Sequence, residues 1–102
     1  MRIITLNERV PVTDVQARMV LFRPRDLQSL MLQNLGISPV EIGGQGVSFG
    51  AGYRIGVNEI VTVSWEDFSP KVRESGLNVE LYAICDAALT ASVQVFGFLM
   101  EE

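Results

Sequence analysis

The stretch Val79-Glu80-Leu81-Tyr82-Ala83-Ile84-Cys85, followed after five residues by Ala91-Ser92-Val93-Gln94-Val95-Phe96-Gly97-Phe98-Leu99-Met100, decides the fold. Side chains alternate between the two faces of a strand, so each segment sorts its residues into two sets. One set is mostly small and aliphatic: Val79, Leu81, Ala83, Cys85, Ala91, Val93, Val95 and Leu99. The other carries larger groups: Tyr82, Ile84, Phe96, Phe98 and Met100. We predict a hairpin that is apolar on both faces.

The second apolar face needs a cover, because each large apolar side chain gains roughly 1.5 to 3 kcal/mol on full burial. Two covers are open. The N-terminal strand around Ile3, Ile4 and Leu6 could fold back over this face, or another subunit could pack on it. The second arrangement predicts a homo-oligomer whose self-association interface comprises Tyr82, Ile84, Phe96, Phe98 and Met100.

Strand patterns dominate the rest of the chain. Short segments rich in β-branched and aromatic residues occur at residues 3–6, 15–22, 29–34, 40–42, 59–65, 79–85 and 92–99. Glycine- and proline-containing segments separate them at the spacing of a sandwich. At most one helical turn is expected, within residues 25–32 or 67–74. The prediction is an all-β, antiparallel, jelly-roll-like sandwich of about seven or eight short strands.

Length and charge narrow the class further. The 102 residues suit one domain, residues 1–102, in which residues 1–9 could form an extended arm. The net charge is −4 and Lys71 is the single lysine, so a basic stripe for nucleic acid is absent and no direct nucleic-acid partner is expected. No apolar run approaches the ~20 residues of a membrane-spanning helix, so no membrane role is expected. Cys85, the single cysteine, lies in an apolar strand pattern that favours packing over reactivity.

The chain offers little for catalysis. It contains no histidine, which removes the commonest general base and the triads built on it. The carboxylates lie mostly singly, and the pair Glu66-Asp67 lacks the alternating spacing of a calcium loop. Gly43-Gly44-Gln45-Gly46 is followed by neither the lysine nor the helix of a phosphate loop. We expect no enzyme activity, no cofactor and no metal site.

The middle of the chain carries a resemblance. The matching segments are Leu30-Met31-Leu32-Gln33-Asn34, Gly36, Pro39-Val40-Glu41-Ile42-Gly43-Gly44, Val47, Gly52-Tyr53-Arg54-Ile55 and Glu59-Ile60. This series resembles small β-sandwich virion proteins of tailed bacteriophages over residues 29–63, about a third of the chain. Those proteins usually have Pro-Gly-Glu at the last turn, where this chain has Val57-Asn58-Glu59. Asparagine also tolerates a left-handed backbone, so the turn can keep its geometry.

The resemblance implies a jelly-roll-like structural protein of the virion. Its expected role is a capsid decoration (cement) protein that binds across capsid subunits, with a head-fibre base or tail accessory protein as related roles. The expected location is the capsid surface, after synthesis in the host cytoplasm, and a homotrimer is favoured. Arg23, Arg25 and Asp26 are the candidate contact with the major capsid protein or another virion protein, because arginine forks pair well with carboxylates.

A second class of function stays open. Jelly-roll sandwiches often bind sugars by stacking them on exposed aromatic rings. Here Trp65, Tyr53 and Phe49 lie beside glycine-rich turns and could form such a platform. Trp65 is in phase with Val61 and Val63, which favours the core for its ring. The alternative is therefore a receptor- or carbohydrate-binding module of the tail or head-fibre type.

Overall fold

A computed structural model describes residues 2–44, 46–47, 50, 52–86 and 89–101 of the chain. The described strands are β1 (Arg2–Val12), β2 (Ala17–Phe22), β3 (Leu27–Asn34), β4 (Val40–Gly43), β5 (Tyr53–Ile55), β6 (Ile60–Val63), β7 (Val79–Cys85) and β8 (Ala91–Glu101). One short helix, α1 (Pro70–Ser75), and 3₁₀ turns at Pro24–Asp26 and Trp65–Asp67 lie between them. The all-β prediction is confirmed.

The strands form two antiparallel sheets of four. The first sheet has the order β1-β8-β3-β6 and the second has the order β2-β7-β4-β5. The pairs β1 with β8, β2 with β7, β3 with β6 and β4 with β5 are those of one long hairpin rolled up so that its strands alternate between two sheets. That is the connectivity of a jelly roll, the architecture that the sequence predicted.

The predicted hairpin of residues 79–100 is wrong. β7 lies in the second sheet between β2 and β4, whereas β8 lies in the first sheet between β1 and β3. Alternation along a strand assigns its two faces but does not identify its partners, and five residues are enough for the chain to cross from one sheet to the other. Tyr82 and Ile84 therefore face outward from one sheet, while Phe96, Phe98 and Met100 face outward from the other. The five residues do not share one surface.

The core fills the space between the sheets. Its buried side chains come from both layers, and Leu27, Leu30, Leu32, Val40, Ile55, Val93 and Val95 are almost completely enclosed. Cys85 is also fully buried, with its Sγ 3.1 Å from the carbonyl oxygen of Leu89. Burial is the main reason that the pKa of this thiol is raised, and the nearby charges of Asp14 and Asp86 raise it further. The predicted packing role of Cys85 fits this environment.

Two local irregularities escaped the alternation pattern. In β2 the register shifts between Arg18 and Val20, so Met19 and Val20 are both buried and Leu21 is turned outward, whereas strict alternation would put Leu21 on the same face as Met19. In β3 the register shifts between Leu27 and Ser29, which leaves Gln28 as an extra residue opposite β8. Such β-bulges redirect side chains without leaving a signature in hydrophobicity.

The N-terminal strand lies beside β8, not over its face. Residues 2–12 pair with residues 91–101 along the whole length of β1. The segment considered as an extended arm, residues 1–9, is thus described from Arg2 onward as an edge strand of the first sheet. It therefore leaves the outward surface of β8 uncovered.

Turn and helix ends follow the local sequence. Asn58 adopts φ 66°, the left-handed backbone expected of it in the turn between β5 and β6. Ser69 caps α1 by accepting a hydrogen bond from the Val72 amide, and Gly76 ends the helix with φ 72°. The helical turn predicted within residues 67–74 is confirmed approximately, whereas residues 27–32 of the other candidate segment are strand.

Candidate functional site

The outward surface of the first sheet carries a group of exposed apolar side chains. We call it the open face, and its members are Ile3, Met31, Ile60, Phe96, Phe98 and Met100. The register places Phe96 between Asn7 and Met31, and it places Phe98 between Thr5 and Ser29. Phe96 and Phe98 each remain 37% exposed and Ile3 is 64% exposed.

The two phenylalanines form the centre of the open face. Their ring centroids lie 5.5 Å apart and the ring planes meet at 80°, an edge-to-face contact. Gly97 stands between them on the inner side, where an added Cβ would meet the backbone of Ser29 and Leu30. The absence of a side chain there allows β3 to approach β8 closely, so the rings lie on a continuous sheet surface.

The second sheet has a different outward surface, which we call the covered face. The register pairs Ile84 of β7 with Glu41 of β4, and Gln16 immediately precedes β2, the strand on the other side of β7. The backbone amide of Gly46 donates to Gln16 Oε1 at 2.7 Å. This contact ties the loop after β4 to the residue that precedes β2.

Glu41 holds the other end of the same loop. The backbone amides of Gly50 and Gly52 both donate to its Oε1 at 2.8 Å. The described loop residues Gly46, Gly50 and Gly52 are thus anchored at Gln16 and at Glu41, the β4 partner of Ile84. Ile84 is only 8% exposed although it is not part of the interior core. Glu41 itself is buried. Of the two covers predicted for this group, β1 lies in the other sheet, and we assign the burial of Ile84 to the anchored loop.

Tyr82, next to Ile84 on the covered face, belongs to a polar network. Its hydroxyl donates to Glu80 Oε2 at 2.8 Å, and Arg18 Nη1 lies 3.5 Å from the same oxygen. The hydrogen bond to Glu80 is the main reason that the pKa of Tyr82 is raised, with desolvation and the Glu80 charge adding to it and Arg18 opposing it. The covered face is thus polar at Tyr82 and self-covered at Ile84.

The predicted charged contact residues lie together at the 3₁₀ turn before β3. Arg23 Nε donates to Asp26 Oδ2 at 2.8 Å, and Arg25 Nε lies 3.8 Å from Asp26 Oδ1. Asp26 is therefore engaged mainly with Arg23. Arg25 keeps about half of its side chain exposed and is the better placed of the two arginines to meet a partner.

Two clefts connect this charged turn with its surroundings. The smaller one, about 220 Å³, is lined by Arg25, Asp26, Gln28 and Met100. It joins the charged turn to the end of the open face, so two groups that the sequence treated separately border one surface. The larger one, about 470 Å³, is lined by Arg25, Leu27, Gln28, Arg73 and Glu74.

The predicted aromatic platform is described only in part. Tyr53 is exposed on β5 and lines an open cleft of about 320 Å³ together with Ile42, Val61, Thr62, Val63 and Asp67. Phe49 lies outside the described residues, and for Trp65 the structure describes the backbone of the 3₁₀ turn that it begins. Asp67 accepts a hydrogen bond from the Ser64 amide at 2.9 Å.

Sequence reasoning missed Glu41, Gln28 and Arg73 as residues of these surfaces. Glu41 had a signal, since a carboxylate on a strand followed by several glycines can accept their amide hydrogens. Gln28 was displaced by a bulge, and Arg73 reaches its cleft through the packing of α1 on the 3₁₀ turn at Pro24–Asp26. Neither event is encoded in local periodicity.

Within the residues that the structure describes, no group of three or more potential ligands could hold a metal ion, and no helix has the length and apolarity to span a bilayer.

No family model and no curated protein matches the chain. Among solved structures, a de novo designed double-stranded β-helix, determined by solution NMR, aligns with 93% of this chain and 94% of its own at 12% identity and a TM-score of 0.41. A likeness of this size carries no argument about function.

Proposed function

We propose that this protein is a structural virion protein of a tailed bacteriophage, a capsid decoration protein that strengthens the shell by binding across capsid subunits. In this proposal it acts as a homo-oligomer, with a trimer favoured, on the outer surface of the capsid. It does so by contact alone, without catalysis or a cofactor. The resemblance of residues 29–63 to small phage β-sandwich proteins supplies the class of function.

The open face is the observation that carries the proposal. Six apolar side chains lie on one side of a twisted sheet, and Phe96 and Phe98 at its centre are each more than a third exposed. Four strands at ~4.8 Å spacing and up to eleven residues at ~3.3 Å give the whole outward side of the sheet a width of roughly 19 Å and a length of roughly 36 Å, in which polar residues such as Thr5, Asn7 and Ser29 surround the open face. That is the scale of a specific interface, which buries about 800 Å² per partner. Exposed patches of this kind mark association sites.

The covered face supports the assignment of self-association to the first sheet. A decoration protein needs one surface for its own copies and another for the shell. Because Ile84 is already covered and Tyr82 is hydrogen-bonded to Glu80, the second sheet offers no comparable apolar surface among its described residues. Self-association is therefore assigned to Phe96, Phe98 and Met100, and the shell contact to Arg23, Arg25 and Asp26 at the adjoining end.

Immunogold labelling tests the function directly. Antibodies raised against the recombinant chain are applied to intact phage particles from lysates of the host cells that produce the chain. The label is then counted on heads and on tails. The proposal predicts gold spread over the whole head. Label confined to the tail, or none on particles while the chain is abundant in the same lysate, would contradict it. Preimmune serum and antibody preabsorbed with the chain are the controls.

A second candidate function rests on Tyr53. Its exposed ring beside a cleft that contains Thr62 and Asp67 is an arrangement that can stack a sugar and hydrogen-bond its hydroxyls. A glycan array probed with the wild-type chain and with Tyr53→Ala tests this reading. Glycan signals that Tyr53→Ala abolishes would favour a receptor-binding module, and an array without signals would count against it.

A further inference from the structure

We infer that the cleft between the 3₁₀ turn at Pro24–Asp26 and α1 is a carboxylate-binding site, which receives an aspartate or glutamate side chain of a partner protein on Arg25 and Arg73. The assignment of this cleft as the surface that meets the capsid shell rests on the proposed function. The binding chemistry itself does not, and it is measured on the isolated chain.

The chain concentrates positive charge at this place. The net charge is −4, yet four of the eight basic residues occur in two short segments, Arg23 with Arg25 and Lys71 with Arg73. α1 packs against the 3₁₀ turn, which brings the two segments to the same end of the sandwich. The same two segments also contain Asp26 and Glu74, so four positive and two negative charges leave a local net charge of +2, which attracts an acidic group more than the rest of this acidic chain does.

Charged, polar and apolar side chains line the cleft together. Its volume is about 470 Å³, and its lining includes the almost fully buried Leu27 as well as Arg25, Gln28 and Arg73. Two guanidinium groups and one amide therefore border the cleft, and a hydrogen bond from a charged donor is stronger than one from a neutral donor. A carboxylate, with two oxygens that each accept two hydrogen bonds, matches this set of donors.

The β-bulge in β3 orients one of these donors. Gln28 is the extra residue between Leu27 and Ser29, whose partners Leu99 and Phe98 are consecutive in β8. The bulge carries Gln28 into the lining of both clefts, where an unbroken strand would alternate it between sheet faces. Bulges of this kind often adjust a side chain beside a functional site.

The remaining charges leave Arg25 available. Asp26 accepts the 2.8 Å hydrogen bond from Arg23, and its distance to Arg25 Nε is 3.8 Å. Nη1 of Arg25 lies 3.5 Å from where a Cβ on Gly76 would stand, so the guanidinium is packed beside the end of α1. Glu74 also lines the cleft and opposes an anionic ligand. Its removal should therefore strengthen binding.

Titration with glutarate, followed by the Nε–Hε NMR signals of the arginines, tests the inference. We expect saturable shifts of Arg25 and Arg73, with Arg54 on β5 unchanged. Arg25→Gln should weaken the affinity by roughly tenfold or more, because a charge-assisted hydrogen bond is lost. Arg54→Gln is the matched control, since it removes an exposed arginine away from the cleft, and it should leave the affinity unchanged.

Phosphate is titrated in parallel to separate the anions. Glutarate binding tighter than phosphate binding supports a carboxylate site, whereas tighter phosphate binding overturns it. Equal, non-saturating shifts of all arginines, or an unchanged affinity in Arg25→Gln, would also overturn it. If Arg25→Gln fails to fold, Glu74→Gln decides. That variant should bind glutarate several-fold more tightly, and unchanged or weaker binding would contradict the site. These results do not depend on the antibody label or on the oligomer.

Discussion

Both sheets carry large apolar side chains on their outward surfaces, but these side chains differ in their exposure to water. On the covered face, Ile84 is buried, and the neighbouring loop is anchored on Gln16 and Glu41. On the open face, Phe96 and Phe98 pack edge to face and remain partly in water. An outward apolar residue in a strand can therefore be buried by its own chain or remain exposed. Which of the two applies depends on loops that are distant along the chain.

The loop that makes the difference is rich in glycine for local reasons. At Gly52 an added Cβ would lie 2.8 Å from the Ile42 carbonyl oxygen, and Gly50 adopts φ 98°. A loop that runs this close to the sheet can bring its amides to a carboxylate on the strand. On the first sheet, Phe96 and Phe98 remain 37% exposed, and we propose that another copy of the chain covers them.

Glutamate substitution on each face gives the largest expected contrast. Ile84→Glu places a charge under the loop without a partner and should cost about 3 kcal/mol or more of unfolding free energy. Phe96→Glu leaves its charge in water and loses mainly the ring contact, a cost of about 1 kcal/mol. Urea unfolding of dilute samples, followed by circular dichroism, measures both values. Equal losses in the two variants would contradict the distinction between the faces.

Removing the anchor of the loop should have an intermediate effect. Glu41→Ala deletes the acceptor of two amide hydrogen bonds, and we expect a loss of about 2 to 3 kcal/mol in unfolding free energy. Glu41→Gln keeps an acceptor oxygen and should lose about half as much. Hydrogen exchange at the amides of Gly50 and Gly52 should accelerate in Glu41→Ala. Exchange as slow as in the wild type would mean that Glu41 does not hold the loop.

The polar part of the covered face is expected to respond to alkaline pH. The pKa of Tyr82 is raised above its ordinary value, so the neutral phenol that donates to Glu80 is favoured in the folded chain. Its contribution to stability is complete below about pH 10 and is lost as the pH rises through the raised pKa. NMR titration of the Tyr82 ring should show a lower pKa in Glu80→Gln than in the wild type. An unchanged pKa would contradict the hydrogen bond.

Much of the architecture could be read from the sequence because it follows from alternation and turn residues. Seven segments with strand patterns correspond to described strands, and Asn58 takes the backbone that its turn requires. β5, with three residues between glycine-containing segments, was too short to show a pattern. The partners of β7 and β8 were mispredicted, because pairing across sheets depends on the global path of the chain.

The candidate surface was predicted only in fragments for a related reason. Phe96, Phe98 and Met100 do share an outward face, since that follows from the period of two within β8. Ile84 is buried although it faces outward, and the loop beside it is anchored by Glu41 and Gln16 through contacts that the alternation pattern does not reveal. The contact between Met100 and the Arg25 cleft depends on a bulge and on the packing of a helix, and neither can be derived from local sequence.

The molar mass in solution, measured by multi-angle light scattering over a range of concentrations, tests the central claim most directly. The wild-type chain is compared with Phe96→Glu on the open face and with Leu21→Glu, a matched control at an exposed position on the second sheet. We predict a multiple of 11.3 kDa, with three copies favoured, for the wild type and for Leu21→Glu, and 11.3 kDa for Phe96→Glu. A wild-type chain that stays at 11.3 kDa at the highest concentration, or a Phe96→Glu variant that keeps the wild-type mass, would contradict the account.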